Sequence, residues 1–238
     1  MTGYEDIPNR LEVIQSRIHA ACMRSGRTCD SITLLAVSKF HPAEAVAKAY
    51  EAGLRVFGEN RVQEAVEKFN SPLIKPLRNT IQVHFQGHLQ SNKINKALEL
   101  FDCIQSLDSL ELIEQLIKRL SIRSAPLEVL FELHTGEASK AGFLEESALL
   151  KALERVLEVP QIKPRGLMTM APFTSDTDAI RASFRKCRKL FEHIQKTYKI
   201  PDFTVLSMGM SNDFEIAVEE GSTLLRIGTA IFGERTYE

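Results

Sequence analysis

The chain has 238 residues, 44% hydrophobic and 26% charged, the proportions of a soluble globular protein and a length that suits one domain over residues 1–238. A formal net charge of −1 gives no general pull towards nucleic acid or acidic membrane, and no apolar run approaches the ~18 residues of a membrane span. The N-terminal stretch carries acids early and lacks a signal-peptide core, so the cytoplasm is the expected compartment.

A first amphipathic helix is predicted from about Ile7 to Met23, with Leu11, Ile14 and Ile18 on one side and Gly26 ending it. Regular alternation follows. The strand Ile32–Lys39 precedes a helix over Pro42–Ala52, and the strand Arg55–Glu59 precedes one with Val62, Ala65, Val66 and Phe69 on its apolar face. Ile81–Gly87 precedes Asn92–Leu100, and Asp102–Leu107 precedes Ser109–Leu120. Leu127–His134 leads through a polar loop to Leu144–Leu157. A strand over Arg165–Met170 is followed by a stripe of Ile180, Phe184, Cys187, Phe191 and Ile194 at helical spacing. Asp202–Gly209 precedes Asp213–Glu220, and Thr223–Gly228 is the last strand, before a short terminal segment.

Parallel strands need crossovers of a dozen or more residues, which such alternation supplies. Eight units predict an α/β fold, a (β/α)8 TIM barrel with an extra N-terminal helix; an open doubly wound sheet is the alternative. The four cysteines lack C-x-x-C spacing, and Cys103 and Cys187 read as buried small hydrophobes.

In a barrel of this kind, chemistry gathers where strands end at their carboxyl side. That rim holds Ser38, Lys39, His41, Glu59, Asn60, the loop Gly87–Asn92, His134 to Lys140, Ser207, Ser211, Arg226, Gly228 and Thr229. Lys39 shares a side with Leu35 and Val37 by strand alternation. If that side faces the interior, burial favours the neutral amine that imine formation needs; the alternative is a surface lysine closing a strand. Arg226-Ile-Gly-Thr229 puts Gly-Thr directly after the final strand, where barrels often bind phosphate; ordinary turn chemistry is the alternative. Ser207 adds a potential donor. Among six histidines, His88 and His134 are the expected site members, and none has convincing metal spacing; His84 and His88 are separated by a strand end, not by a helical turn.

Seven stretches together resemble one family: AVSK around Lys39, FGENRVQE (Phe57–Glu64), HFQGHLQSNK (His84–Lys93), GEASKAGF (Gly136–Phe143), GLMTMAP (Gly166–Pro172), LSMGMSNDFEIAVEEGST (Leu206–Thr223) and RIGTAIFGER (Arg226–Arg235). The chain is similar to the pyridoxal phosphate homeostasis proteins over nearly all of its length beyond residue 32. The resemblance implies a barrel like the N-terminal domain of alanine racemase, with pyridoxal 5′-phosphate (PLP) as a Schiff base on Lys39. It further implies Asn60 beside the cofactor, Ser207, Gly228 and Thr229 on its phosphate, and Arg226 at the pyridine nitrogen. The chain departs from the family pattern at Gln105, where His is usual, and at His134, where Asn is usual.

Three functions are consistent with these residues. One is a non-catalytic carrier that buffers and delivers PLP, a monomer in transient contact with PLP-dependent apoenzymes. The second is a PLP-dependent racemase or decarboxylase, which needs a second base that a terminal Tyr237 is poorly placed to supply. The third is a Schiff-base aldolase acting on sugar phosphates. With the resemblance included, the carrier is expected.

Overall fold

The alternation closes on itself. In the computed structural model, which describes residues 3–136 and 142–234, the eight strands pair in chain order and the last returns to the first. They are β1 (Thr33–Val37), β2 (Val56–Glu59), β3 (Gln82–Phe85), β4 (Cys103–Leu107), β5 (Leu127–Glu132), β6 (Ile162–Met168), β7 (Val205–Ser207) and β8 (Leu224–Ile227), all parallel. The TIM-barrel expectation holds, and pairing of β1 with β8 removes the open-sheet alternative.

The crossover helices are α2 (Ala43–Glu51), α3 (Val62–Phe69), α4 (Ile94–Leu100), α5 (Leu110–Ile117), α6 (Glu146–Leu157), α7 (Thr177–Tyr198) and α8 (Phe214–Glu219), with a single turn, α9 (Thr229–Phe232), after β8. The extra N-terminal helix is α1 (Ile7–Ser25). It ends at Gly26, whose φ of +65° suits glycine, and Arg27 N–H caps it by donating to the Cys22 carbonyl at 2.9 Å. Several boundaries differ from the sequence reading: β7 is limited to Val205–Ser207 within the expected Asp202–Gly209, and α6 starts at Glu146. A 3-10 turn, Ser91–Lys93, precedes α4. Helix α5 stops at Ile117, with a separate 3-10 turn at Leu120–Ile122. Strand β6 starts at Ile162 and ends at Met168, shifted towards the N-terminus.

That last shift has a local cause. Pro164 lies inside the strand and has no N–H for the ladder. Val129 pairs with Pro164 and Leu130 with Gly166, so Arg165 is an extra residue and the register slips. Gly166 then passes so close to β7 that a Cβ there would lie 1.7 Å from the Val205 carbonyl oxygen.

Alternation within the strands divides the core. Ala36, Phe57, Val83, Phe85 and Ile104 point outward into the main apolar layer against the helices. Leu35, Val37 and Leu224 form a separate small cluster inside the barrel, and Cys103, Leu130 and Met168 another. Lys39 continues the inward series of Leu35 and Val37.

Helix α1 packs on α8 and α9 through Ile7, Leu11, Ile14, Ile18, Ala21 and Cys22, all buried. Outside this seam Arg17 and Arg24 pair with Glu215, Arg24 also with Glu219, and Arg181 and Arg185 of α7 with Glu220. Among the described residues no helix is long and apolar enough to cross a membrane.

Candidate functional site

Because β1 and β8 are neighbours, with Leu35 opposite Arg226 and Ala36 opposite Ile227, the first and last strands deliver their carboxyl ends to one place. A cavity of about 1080 Å³ opens there, and Lys39, Asn60, Arg226, Gly228 and Thr229 all line it. Five of the six residues expected at the site are thus brought together by the barrel's closing seam.

Lys39 sits in the turn that ends β1, half-buried, between fully buried Ser38 and exposed Phe40. Asn60 follows the last residue of β2. Its Oδ1 is buried without a hydrogen-bond partner among the described residues, an acceptor left for a ligand. Its backbone touches the next loop so closely that a Cβ on Gly87 would fall 2.4 Å from the Asn60 carbonyl oxygen. Gly228 lies against β1 in the same manner, its notional Cβ 3.3 Å from the Val37 oxygen. Gly228 and Thr229 open α9, so their amides belong to a first turn that has no intrahelical acceptors.

Arg226 reaches the cavity from inside the barrel, as the inward parity of β8 dictates. Its Nη1 donates to Ser207 Oγ at 2.8 Å and its Nη2 to the Thr169 carbonyl at 2.8 Å. Ser207 Oγ in turn donates to Gln105 Oε1 at 2.7 Å, and Gln105 Nε2 lies 2.8 Å from His84 Nδ1. A hydrogen-bonded chain therefore crosses the barrel below the cavity, from Arg226 through Ser207 and Gln105 to His84.

Ser207, expected on the phosphate, is a link in this chain. That residue is fully buried, its hydroxyl is engaged by Gln105 and Arg226, and it is absent from the described cavity wall. The next serine along, Ser211, does line the cavity, and its Oγ accepts from Ala230 N–H at 3.3 Å, beside Gly228 and Thr229. Of the histidines, one not singled out by the sequence lies on the cavity wall. His41 lines the described wall, stacked on Phe232 with ring centroids 5.0 Å apart, whereas neither His88 nor His134 does. Glu137, Lys140, Arg235 and Tyr237 lie outside the described residues.

Burial governs the charges. It lowers the Arg226 guanidinium from its usual value, while Asp213 and Glu132 pull it back; at physiological pH the group is still a cation. Burial pushes the Glu132 carboxyl up to about 7 against the pull of Arg226, and raises Asp213 as well. His84, buried and with Nε2 lacking a partner among the described residues, is lowered to about 4 and is neutral near pH 7. The site thus offers a lysine amine, a cationic guanidinium and a glycine-containing turn rich in donors around one cavity.

The comparisons agree with this architecture. Residues 14–236 match the family model described as alanine racemase, N-terminal domain. A pyridoxal phosphate homeostasis protein of Aquifex aeolicus (strain VF5) is 40% identical over 228 residues, covering 96% of this chain and 98% of the relative. The structure of PipY from Synechococcus elongatus PCC7942, solved with PLP bound, matches with a TM-score of 0.80 and 36% identity over 95% of this chain and all of that one. Alanine racemase from Streptomyces coelicolor A3(2) shares the fold, with a TM-score of 0.71 at 17% identity, over 94% of this chain and 58% of the racemase. The chain belongs to the alanine racemase N-terminal domain family and, within it, to the pyridoxal phosphate homeostasis proteins.

Proposed function

We propose that this chain binds pyridoxal 5′-phosphate as a Schiff base on Lys39 and serves in intracellular PLP homeostasis, buffering and delivering the cofactor. One observation carries the reading: an amine and a donor-rich glycine turn face one cavity across the β1–β8 seam, with a buried guanidinium between strands. The relatives' names and the PLP-bound PipY structure support it. So does the unmatched Oδ1 of Asn60, a buried acceptor whose cost a bound ligand offsets.

In this reading Lys39 supplies the amine, Gly228 and Thr229 hold the phosphate, and Asn60 lies beside the ring. Ser207 stays with them as a phosphate-side hydroxyl, and Ser211, on the cavity wall, adds another. Arg226 would be the partner of the pyridine nitrogen, as the family resemblance implies. When bound, PLP supplies a reactive aldehyde and an electron-poor ring. A permanent cation at that nitrogen disfavours its protonation and weakens the ring as an electron sink. That suits holding the cofactor better than carbanion chemistry.

Racemization needs a base on each face of the substrate carbon and a ring that accepts electrons, and a cation at the ring nitrogen works against the second requirement. We therefore infer a non-catalytic carrier, monomeric and cytoplasmic, that meets PLP-dependent apoenzymes transiently. Light scattering at a mass other than 26.8 kDa would remove the monomer.

The test is spectroscopic. The wild type is expected to be yellow, with an imine band that borohydride fixes and peptide mapping assigns to Lys39. Lys39→Ala is expected to lose the band completely while far-UV circular dichroism is unchanged. A band that survives moves the attachment elsewhere, with Lys140 next to be mapped. Saturable amino-acid racemization that disappears in Lys39→Ala would defeat the carrier reading.

A further inference from the structure

The stretch Phe57–Glu64 contributes Asn60 to the site, but its two glutamates and the lysine that follows on α3 have no part in the reading above. They converge behind Lys39. Lys68 Nζ donates to the Ser38 carbonyl at 2.7 Å, to Glu59 Oε1 at 2.6 Å and to Glu64 Oε1 at 3.0 Å. An ammonium has three donors, and here all three are used. Ser38 Oγ also donates to Glu59 Oε1, at 2.7 Å, and Phe40 N–H donates to Glu64 Oε1 at 2.5 Å. The Lys68 and Glu59 side chains are 4% and 0% exposed.

These contacts fall on the two peptide groups that flank Lys39. The Ser38 carbonyl belongs to the peptide before its Cα, and the Phe40 N–H to the peptide after it. Rotation of either peptide swings the Lys39 Cα–Cβ bond. The turn also needs holding, because Phe40 has a φ of +65°, a left-handed conformation unfavourable for a side-chain-bearing residue. Arg61 covers the Phe40 ring, its Cζ 4.8 Å from the centroid. Every one of these anchors comes from β2 or from α3 and its N-cap. A buried ion pair adds little net stability, because desolvation offsets the attraction; its contribution is a fixed arrangement.

We propose that Glu59, Glu64 and Lys68 are positioning residues that lock the Ser38–Phe40 turn and aim the Lys39 amine at the aldehyde carbon of a bound pyridoxal-type ligand. The inference rests on the cofactor reading. In the step they assist, a C=N bond forms between Lys39 and the aldehyde carbon, and the carbonyl oxygen leaves as water with two hydrogens from the neutral amine. Lys68 is enclosed by its own three acceptors and takes no part in that bond.

The experiment compares two ligands on the full chain stripped of cofactor. PLP has the aldehyde; pyridoxine 5′-phosphate has the same ring and phosphate with an alcohol instead. Lys68→Met is expected to lower the rate and extent of imine formation with PLP about tenfold, while pyridoxine 5′-phosphate affinity changes by less than about twofold. Glu64→Ala, which removes the Phe40 N–H acceptor at a side chain 25% exposed, is expected to give the same split if Lys68→Met does not fold. Equal losses for both ligands would make the cluster ordinary scaffolding, and no loss for either would leave it without function; both overturn the proposal. A wild type that forms no imine sinks the cofactor reading itself, and this inference with it, whereas a normal wild type beside an unaffected variant sinks the inference alone.

Discussion

Inside the barrel, burial sets two titratable side chains against each other. His84 is lowered from 6.5 to about 4, so between those values the unfolded chain binds a proton that the folded chain refuses, and stability falls as pH falls. Glu132 is raised from 4.5 to about 7, so its contribution is fully present below 4.5 and is lost as pH rises through 7. Across pH 4.5–6.5 the two slopes oppose, each worth about 3 kcal/mol over its full range. Removing either should expose the other. Urea unfolding of the cofactor-free protein is expected to show Glu132→Gln losing stability relative to wild type on acidification through this window, and His84→Gln gaining it. Parallel profiles for all three would mean that neither group is as buried as described. None of this was legible in the sequence. His84 reads there as one histidine of six, and Gln105 as a departure from a family pattern. Only the closure of the barrel brings His84, Gln105, Ser207 and Arg226, from β3, β4, β7 and β8, into one chain. The same holds for Ser207: its position at a strand end is local information, but its hydroxyl's partners are not.

At the scale of elements, pattern was the better guide. The apolar positions of α1, read from periodicity, are those that pack on α8 and α9, and their burial should dominate the helix's contribution. Ile14 is 2% exposed, and Ile14→Ala is expected to cost about 2–4 kcal/mol in urea unfolding, the transfer term plus a cavity. Arg17, half-exposed, pairs with Glu215 and lies over the Phe214 ring, yet solvent screens it; Arg17→Ala should cost under about 1 kcal/mol. The reverse order would mean that charge, not apolar burial, docks α1. Boundaries failed where a local chemical detail overrode periodicity. Pro164 shifted the apparent start of β6 because a proline inside a strand reads as a boundary. The Lys75–Thr80 3-10 segment has no apolar period to betray it. Lys68 was invisible for a subtler reason: a lysine on an amphipathic helix resembles a solvated face until β2 is laid beside it.

For the whole molecule, the consequential fact is that the ends of the sheet meet. Eight strand–helix units made the barrel legible, and closure makes Lys39 and Thr229, 190 positions apart in number, walls of one cavity. A ligand bridging β1 and β8 would tie the first strand to the last, so opening of that seam would disturb it. Ligand saturation at one hundred times Kd adds about 2.7 kcal/mol to the folded state, which for a chain of this length corresponds to roughly 5–10 °C in Tm. On heating the PLP-loaded protein, the visible imine band and the far-UV signal are expected to vanish in one coincident transition, shifted upward from that of the cofactor-free form. Loss of the band well below the main unfolding step would show that the seam opens locally, and two far-UV transitions would divide residues 1–238 into more than one cooperative unit.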